Sequence, residues 1–298
     1  MQMIRPITID QTNLTSNVAL DDGGEYSATV TYALGDVVID TASADPTYHA
    51  FESLADSNLG NALTDSANWL DLGAVNRLAM FDQVVGTVTS NASSIDVTVA
   101  ATSACTGLAL FNLTASSVQV TVSNGSGTLY DETVSLRSTF GIIDWYTWFT
   151  QEAEFDTDLV LTDLPPNLGT NIRVQITGSG TVECGTMVLG KLRSLGTGPF
   201  YGARGGIIDY SRKTTDDFGN TSLVERAFAK RWSFQTMVPN GDMAAVFRVL
   251  SEIRATPVAW IGSEDFSPTL IFGWARDWSE EIRYPTQSLL SLEIEGLT

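Results

Sequence analysis

Ser94-Ile-Asp-Val-Thr-Val99, Gly107-Leu-Ala-Leu-Phe-Asn-Leu113 and Val118-Gln-Val-Thr-Val122 decide the fold class of this chain. Apolar and polar residues alternate along them, and successive side chains of an extended strand point to opposite faces, so each run fits a half-buried strand of period two. Asn124-Gly-Ser-Gly127 is a turn signal after the third run. Further strands are predicted at 128–136, 158–164, 171–177 and 182–189. Seven or eight short strands at this spacing predict a β-sandwich or jelly roll over residues 79–198. Abundant Gly, Ser, Thr, Val and Asn with little Lys fits a β-rich protein with many turns.

On the C-terminal side, residues 195–206 are Gly-rich and read as a linker. Residues 199–298 then read as an α+β domain. A long strand over 221–238 carries Val224, Ala227, Phe228, Trp232, Phe234 and Met237. Asn240-Gly-Asp242 is a cap signal, and Met243, Val246, Phe247, Leu250 and Ile253 share one face of a predicted helix over 243–254, which Pro257 stops. Strands follow at 258–262, 269–274, 277–284 and 287–295. On the N-terminal side, residues 1–78 open with the strand-like Ile4-Arg-Pro-Ile-Thr-Ile9 and a polar loop. A small β unit over 24–75 then carries Tyr32-Ala-Leu-Gly-Asp-Val-Val38, Tyr48-His-Ala-Phe51 and Asn68-Trp-Leu-Asp-Leu-Gly73.

At 298 residues the chain has room for two or three domains. Its net charge of −19 argues against nucleic acid, whose phosphates need a basic face, and against an anionic membrane surface. The charge is uneven: −9 over residues 1–78, −7 over 79–198 and −3 over 199–298, where ten of the sixteen basic residues lie. An acidic front and a near-balanced back suit a protein whose rear docks on a partner. The N-terminus lacks a basic region followed by an apolar run, so no signal peptide is expected. No window approaches the ~18 apolar residues of a membrane span. Cys105 and Cys184 read as free buried thiols, with a disulfide as the alternative, and two cysteines with one histidine leave no zinc site.

No catalytic residue is expected. His49 is the only histidine, and no Gly-x-Ser-x-Gly elbow or Cys-His pairing surrounds it. The acidic runs Asp21/Asp22, Glu152/Glu154/Asp156/Asp158, Asp216/Asp217, Glu264/Asp265 and Glu280/Glu281 read as solvated loops rather than a glycosidase pair. No cofactor or metal is expected. A structural calcium at 152–158 is the alternative weighed there, but EF-hand spacing is absent and a charged loop is the reading. Gly202-Ala-Arg-Gly-Gly lacks the strand-to-helix setting of a nucleotide fingerprint. Aromatic rings can stack on sugar faces beside polar groups, and in a unit this small they can equally fill the core. Both readings stay open for Trp69 and Tyr48. The pentad Trp145-Tyr-Thr-Trp-Phe149 is a rival aromatic site and, as a strand, would expose one face or place it at an interface.

Three resemblances sharpen these expectations. The small unit resembles chitin- and cellulose-type carbohydrate-binding modules in its aromatic-x-x-Gly-Asp-x-Val strand at Tyr32, its Tyr-x-Ala at Tyr48 and its Trp-x-x-Leu-Gly at Trp69. That resemblance implies glycan contact through Tyr32, Tyr48, His49 and Trp69, although Leu70 stands where many such modules carry a second aromatic. The middle segment resembles galactose-binding-like jelly rolls in Asn76-Arg-Leu-Ala-Met-Phe-Asp82, Ile172-Arg-Val-Gln-Ile-Thr177 and Cys184-Gly-Thr-Met-Val-Leu-Gly190. The C-terminal segment resembles the small α+β domains of tailed-bacteriophage tail proteins in Arg226-Ala-Phe-Ala-Lys-Arg-Trp232, Arg254-Ala-Thr-Pro-Val-Ala-Trp-Ile-Gly262 and Tyr284-Pro-Thr-Gln-Ser-Leu-Leu-Ser-Leu-Glu-Ile-Glu-Gly296. The whole then looks like a non-enzymatic virion structural protein of the tail or baseplate, made in the host cytoplasm. Its expected partners are itself, other tail or baseplate proteins and a cell-surface glycan, with no nucleic acid and no membrane insertion. Trp260, Trp274 and Trp278 read as core or subunit contact, and Arg226, Lys230, Arg231, Arg276 and Arg283 suit an assembly interface. The alternatives are a purely architectural connector binding neighbouring virion proteins, or a free carbohydrate-binding or carbohydrate-processing protein.

Overall fold

The computed structural model describes every residue except 44, 85, 167, 217, 264, 265 and 298. Asp217, Glu264 and Asp265 of the acidic runs therefore lie outside the described residues. Strands take 52% of the chain and helices 7%, which makes it mainly β and consistent with a β-sandwich. The chain divides into two compact units, Ile7–Met187, and Met1–Pro6 with Val188–Thr298. The expected segment boundary at 78/79 falls inside the first of these units, and the N-terminal strand Gln2–Pro6 belongs to the second.

In the unit Ile7–Met187, the alternating runs become the antiparallel strands Thr89–Ala101, Gly107–Thr114, Ser117–Asn124 and Gly127–Ser135. Register explains why these residues fold so. Val118 pairs with Ile176 and Ile176 with Ile95; Val120, Val174 and Val97 form the next row, and Val122, Ile172 and Val99 the third. All nine side chains are buried. Full burial of such a side chain is worth about 1.5–3 kcal/mol, so this face fixes the register: a one-residue slip would turn all of them to the other side. The segments predicted as separate strands at 171–177 and 182–189 instead lie in one 25-residue strand, Thr170–Ser194, whose pairing with Thr89–Ala101 shifts register between Thr177 and Thr181. Gly178-Ser-Gly180 lies at this irregularity. The pentad Trp145–Phe149 is not a strand but the start of a six-residue helix, α1 (Trp145–Thr150).

The same unit holds a small four-stranded sheet in the order Gly24–Glu25, Val37–Asp40, His49–Ser53, Trp69–Ala74, the first pair parallel and the others antiparallel. Its core is Tyr32, Val38 and Trp69, with Tyr26, Phe51 and Leu63 packed against them.

The other unit orders residues 190–194, Gln2–Pro6, Val258–Ile261, Leu270–Glu281, Gln287–Gly296, Phe228–Pro239 and Arg204–Asp209 into one antiparallel sheet. Helix α2 (Met243–Glu252) sends Val246 and Leu250 into a core with Phe234, Val238, Trp260, Leu290, Leu292 and Ile294. Asp242 is its N-cap, yet the carboxylate makes no capping bond. Asn240 is spent on the turn beside it: its amide donates to the Pro285 carbonyl at 2.9 Å, and Ser288 donates to its oxygen at 2.6 Å. Two glycines permit close strand approach. A Cβ at Gly190 would stand 1.9 Å from the Arg5 carbonyl oxygen, and one at Gly273 2.2 Å from that of Glu295. The long strand predicted over 221–238 is broken at 225–227. Its first part, Thr221–Val224, leaves the main sheet and pairs only with Arg212–Thr215. The strands predicted at 269–274 and 277–284 are one, Leu270–Glu281, with an irregularity between Ala275 and Asp277.

Candidate functional site

In the small sheet the rings expected to meet sugar are the core. Trp69 is 2% exposed and Tyr32 9%. Trp69 packs edge-to-face with Tyr32 at 5.3 Å and with Tyr26 at 5.7 Å between ring centres. Its indole N–H donates to the Asn61 carbonyl at 3.1 Å, which also accepts the Tyr26 hydroxyl at 2.7 Å. The Tyr32 hydroxyl oxygen accepts the Ser27 N–H at 2.8 Å. A ring this deeply buried, with its indole N–H already bonded, has no face left for a ligand. Of the expected set, Tyr48 and His49 remain half-exposed. Tyr48 sits in the left-handed region, φ 41°. His49 Nδ1 lies 2.9 Å from Asp71, and its Nε2 3.7 Å from Asp45. The Thr47 hydroxyl donates to Asp45 at 2.6 Å and holds that carboxyl below its usual range. Both imidazole nitrogens therefore face carboxylates.

Helix α1 carries the second group of aromatics, and here exposure is the finding. Phe140, Ile143, Trp145, Tyr146 and Phe149 are between 75% and 86% exposed, and no α1 side chain is buried. Six residues, mostly aromatic, do not make a stable helix by propensity. A capping box fixes this one: Asp144 accepts the Thr147 N–H at 2.8 Å and the Asp144 N–H donates to the Thr147 hydroxyl at 3.1 Å. The Thr147 backbone N–H, foremost, holds the Asp144 carboxyl below its ordinary range. The helix position also sets Trp145 and Phe149 four residues apart, so that their rings stack at 6.4 Å. The Arg137 guanidinium covers Trp148 at 4.3 Å. Between Arg137 and Arg173 there is no Lys or Arg, while Asp144, Glu152, Glu154 and Asp156 stand exposed around the rings.

The third group lies on a hairpin arm. Strand Phe228–Pro239 buries Val238, Thr236 and Phe234 in turn, half-buries Trp232, and on the same face leaves Phe228 exposed. The Trp232 ring stacks on Phe234 at 5.5 Å and lies over Gly205, where a Cβ would come within 2.5 Å of it. Beyond the core, the ladder Arg212–Thr215 with Thr221–Val224 is exposed at every described residue. Phe218 at its tip is 91% exposed and Leu223 74%. Ile207, Tyr210 and Val224 are also open, and Arg212, Lys213 and Arg226 alternate along this segment with the exposed Asp209, Asp216 and Glu225.

The other expected interface residues divide. Trp260 is fully buried, its N–H donating to the Gly273 carbonyl at 3.0 Å, so it is core. Trp274 is half-buried, and Trp278 is half-buried against Phe247. Arg231 is taken by Glu293 on the neighbouring strand, Arg276 pairs with Glu295 at 3.4 Å and Arg283 with Glu281 at 4.0 Å. Arg226 is exposed, with its backbone N–H on the Ser211 hydroxyl. Sequence reading named the pentad as a rival aromatic site with one open face and Arg226 as an interface residue, but not that the pentad is helical with no buried side chain, nor that 212–224 forms an exposed ladder. The Asp144-x-x-Thr147 cap was the legible signal of the helix. Cys105 and Cys184 are free and buried, and among the described residues no group of three His, Cys, Asp or Glu could hold a metal ion. Among the described residues no helix is long and apolar enough to cross a membrane. No protein-family model matches the chain, and no curated protein matches it.

Proposed function

We propose that this chain is a non-enzymatic structural protein of a phage tail or baseplate, and that it self-assembles through the arm of its C-terminal unit. The observation that carries the assembly is the ladder of Arg212–Thr215 with Thr221–Val224, a two-stranded sheet of its own that is exposed at every described residue and leaves Phe218, Leu223 and Val224 open. A two-stranded hairpin has little stability alone and gains it by packing against another surface. The virion setting is supported by the tail-protein resemblance of residues 226–232, 254–262 and 284–296. Host-glycan contact is proposed at Tyr48 and His49 beside Asp45 and Asp71, since the rings of Tyr32 and Trp69 are buried. A chain in which 212–226 is replaced by a short Gly-Ser turn tests the assembly. The intact protein should have a mass in light scattering that is a multiple of 32.1 kDa, and the shortened one its own, smaller monomer mass. An intact protein that stays monomeric at its solubility limit would sink the proposal.

A further inference from the structure

We infer that the outer strand of the arm, Arg204–Asp209, pairs antiparallel with the same strand of a second copy, so that two sheets join edge to edge about a two-fold axis at Ile207. This rests on the proposed self-assembly and names the surface at which the copies meet. The strand ends the sheet of its unit: Phe228–Pro239 lies on one side, and among the described residues no strand lies on the other. Two bonds fix which of its groups point outward. Tyr210 donates its N–H to the Ala227 carbonyl at 3.2 Å, so in the register of this pair Arg204, Gly206 and Ile208 turn their backbone groups inward. On the far side of Phe228–Pro239, Asn240 donates to the Thr286 carbonyl at 3.0 Å. That bond directs the even-numbered residues of the strand to Gln287–Gly296 and leaves Ala229, Arg231 and Ser233 to Arg204–Asp209. Both bonds agree that the N–H and C=O groups of Gly205, Ile207 and Asp209 face out, and these have no partner among the described residues. Such an open row is a template for another strand, and proteins usually blunt it with proline or lysine. This strand has neither, and its middle is Gly205-Gly-Ile-Ile208.

The occupant is a second copy because the strand complements itself. Turned about Ile207, two copies set Ile207 against Ile207, Gly205 against Asp209 and Gly206 against Ile208, and the outward N–H groups meet outward C=O groups. Ile207 is 62% exposed, and a Cβ at Gly206 would meet nothing within 4 Å, so there is room over Gly206 for the Ile208 side chain of the other copy. Arg204 comes opposite the exposed Tyr210 ring, a cation against an aromatic face on each side of the axis. Copies carrying −19 each repel one another, and they are repelled least where Arg204 and Asp209 leave the strand without net charge. Six residues a side fall short of the roughly 20–30 that a stable interface uses. The ladder adds to them: the same register carries residues 212–215 of each copy alongside 199–202 of the other, where Phe200 and Tyr201 are exposed. Because one edge is used by both copies, the contact is isologous and closes as a dimer.

The test uses full-length variants. Ile207→Pro removes an outward N–H and no bond to Phe228–Pro239, so circular dichroism and the unfolding midpoint should stay unchanged. Sedimentation velocity should show the wild type at twice 32.1 kDa and the proline variant dissociating at about tenfold higher concentration or more. Ile207→Cys should form a disulfide-linked dimer under mild oxidation, since facing residues of a hydrogen-bonded pair stand about 5.5 Å apart. Arg204→Cys should not, because its counterpart lies six residues along the partner strand, about 20 Å away. The wild type should stay unlinked, its cysteines being buried. If the wild type assembles and the folded proline variant reaches the same mass at the same concentrations, the edge serves another chain or none, and the inference is overturned while self-assembly stands. Linking of Arg204→Cys as readily as Ile207→Cys overturns it too. Should the proline variant lose its native circular dichroism, the cysteine pair decides alone. A monomeric wild type removes both the inference and the self-assembly.

Discussion

Replacing Trp69 with Ala should unfold the small sheet and leave the larger sheet of its unit folded. The indole is buried to 2%, edges onto Tyr26 and Tyr32, and donates to the Asn61 carbonyl. Truncating a buried Trp to Ala costs about 3–5 kcal/mol through lost transfer energy and the cavity left behind. The Asn61 carbonyl keeps the Tyr26 hydroxyl, so the orphaned acceptor adds little. A sheet with three fully committed core residues has a small core of its own, and a loss of that size should exhaust its local stability. Amide hydrogen exchange reads this directly. Protection in Val37–Asp40 and His49–Ser53 should collapse, while Ser117–Asn124 and its partners stay protected. Trp69→Phe, which keeps a ring but drops the N–H donor, should lose about 1–2 kcal/mol. Unchanged protection in the Ala variant would refute the core assignment and return Trp69 to the ligand surface.

Asp144→Ala removes the α1 cap and should cost about 0.5–2 kcal/mol locally. Loss of the Trp145–Phe149 stacking in near-ultraviolet circular dichroism would report it. Gly190→Ala forces a Cβ onto the Arg5 carbonyl and should destabilise by about 1–3 kcal/mol, read as a lower thermal midpoint; an unchanged midpoint would mean that Gln2–Pro6 is not paired there. Burial pushes the Cys184 thiol up to about 12 and raises that of Cys105. Neither should react with a thiol reagent at neutral pH until the chain unfolds, and labelling of the native protein would contradict this burial. Burial also raises the Asp82 carboxyl despite its bonds from Thr87 and Val84. Since the folded state holds that proton more tightly than the unfolded state does, stability falls as pH rises from about 3.9 through the folded value. Asp82→Asn should flatten that part of the stability profile; an unaltered profile would show that Asp82 does not cause it.

Strand identity was legible where one face is buried and the other wet. Ile95, Val97, Val99 and their partners print a period of two because burial demands it. Helix α2 was legible for the same reason at a period of 3.6, within two residues of its end. What periodicity cannot carry is pairing between distant segments, such as Gln2–Pro6 with residues 190–194 and with Val258–Ile261. It also cannot tell a buried ring from an open one. Trp69 and Trp145 are the same residue beside similar neighbours, yet one is 2% exposed and the other 79%. The aromatic pentad reads as a strand by composition, and only the Asp144–Thr147 box turns it into a helix. Burial of Trp260 and pairing of Arg231 with Glu293 likewise depend on neighbours far away in sequence.

Sedimentation velocity of the intact chain, over its full soluble concentration range and at low and high salt, tests self-assembly most directly. The account predicts a mass that is a multiple of 32.1 kDa and rises with concentration. A single species of 32.1 kDa at every concentration, in both salts, would contradict it.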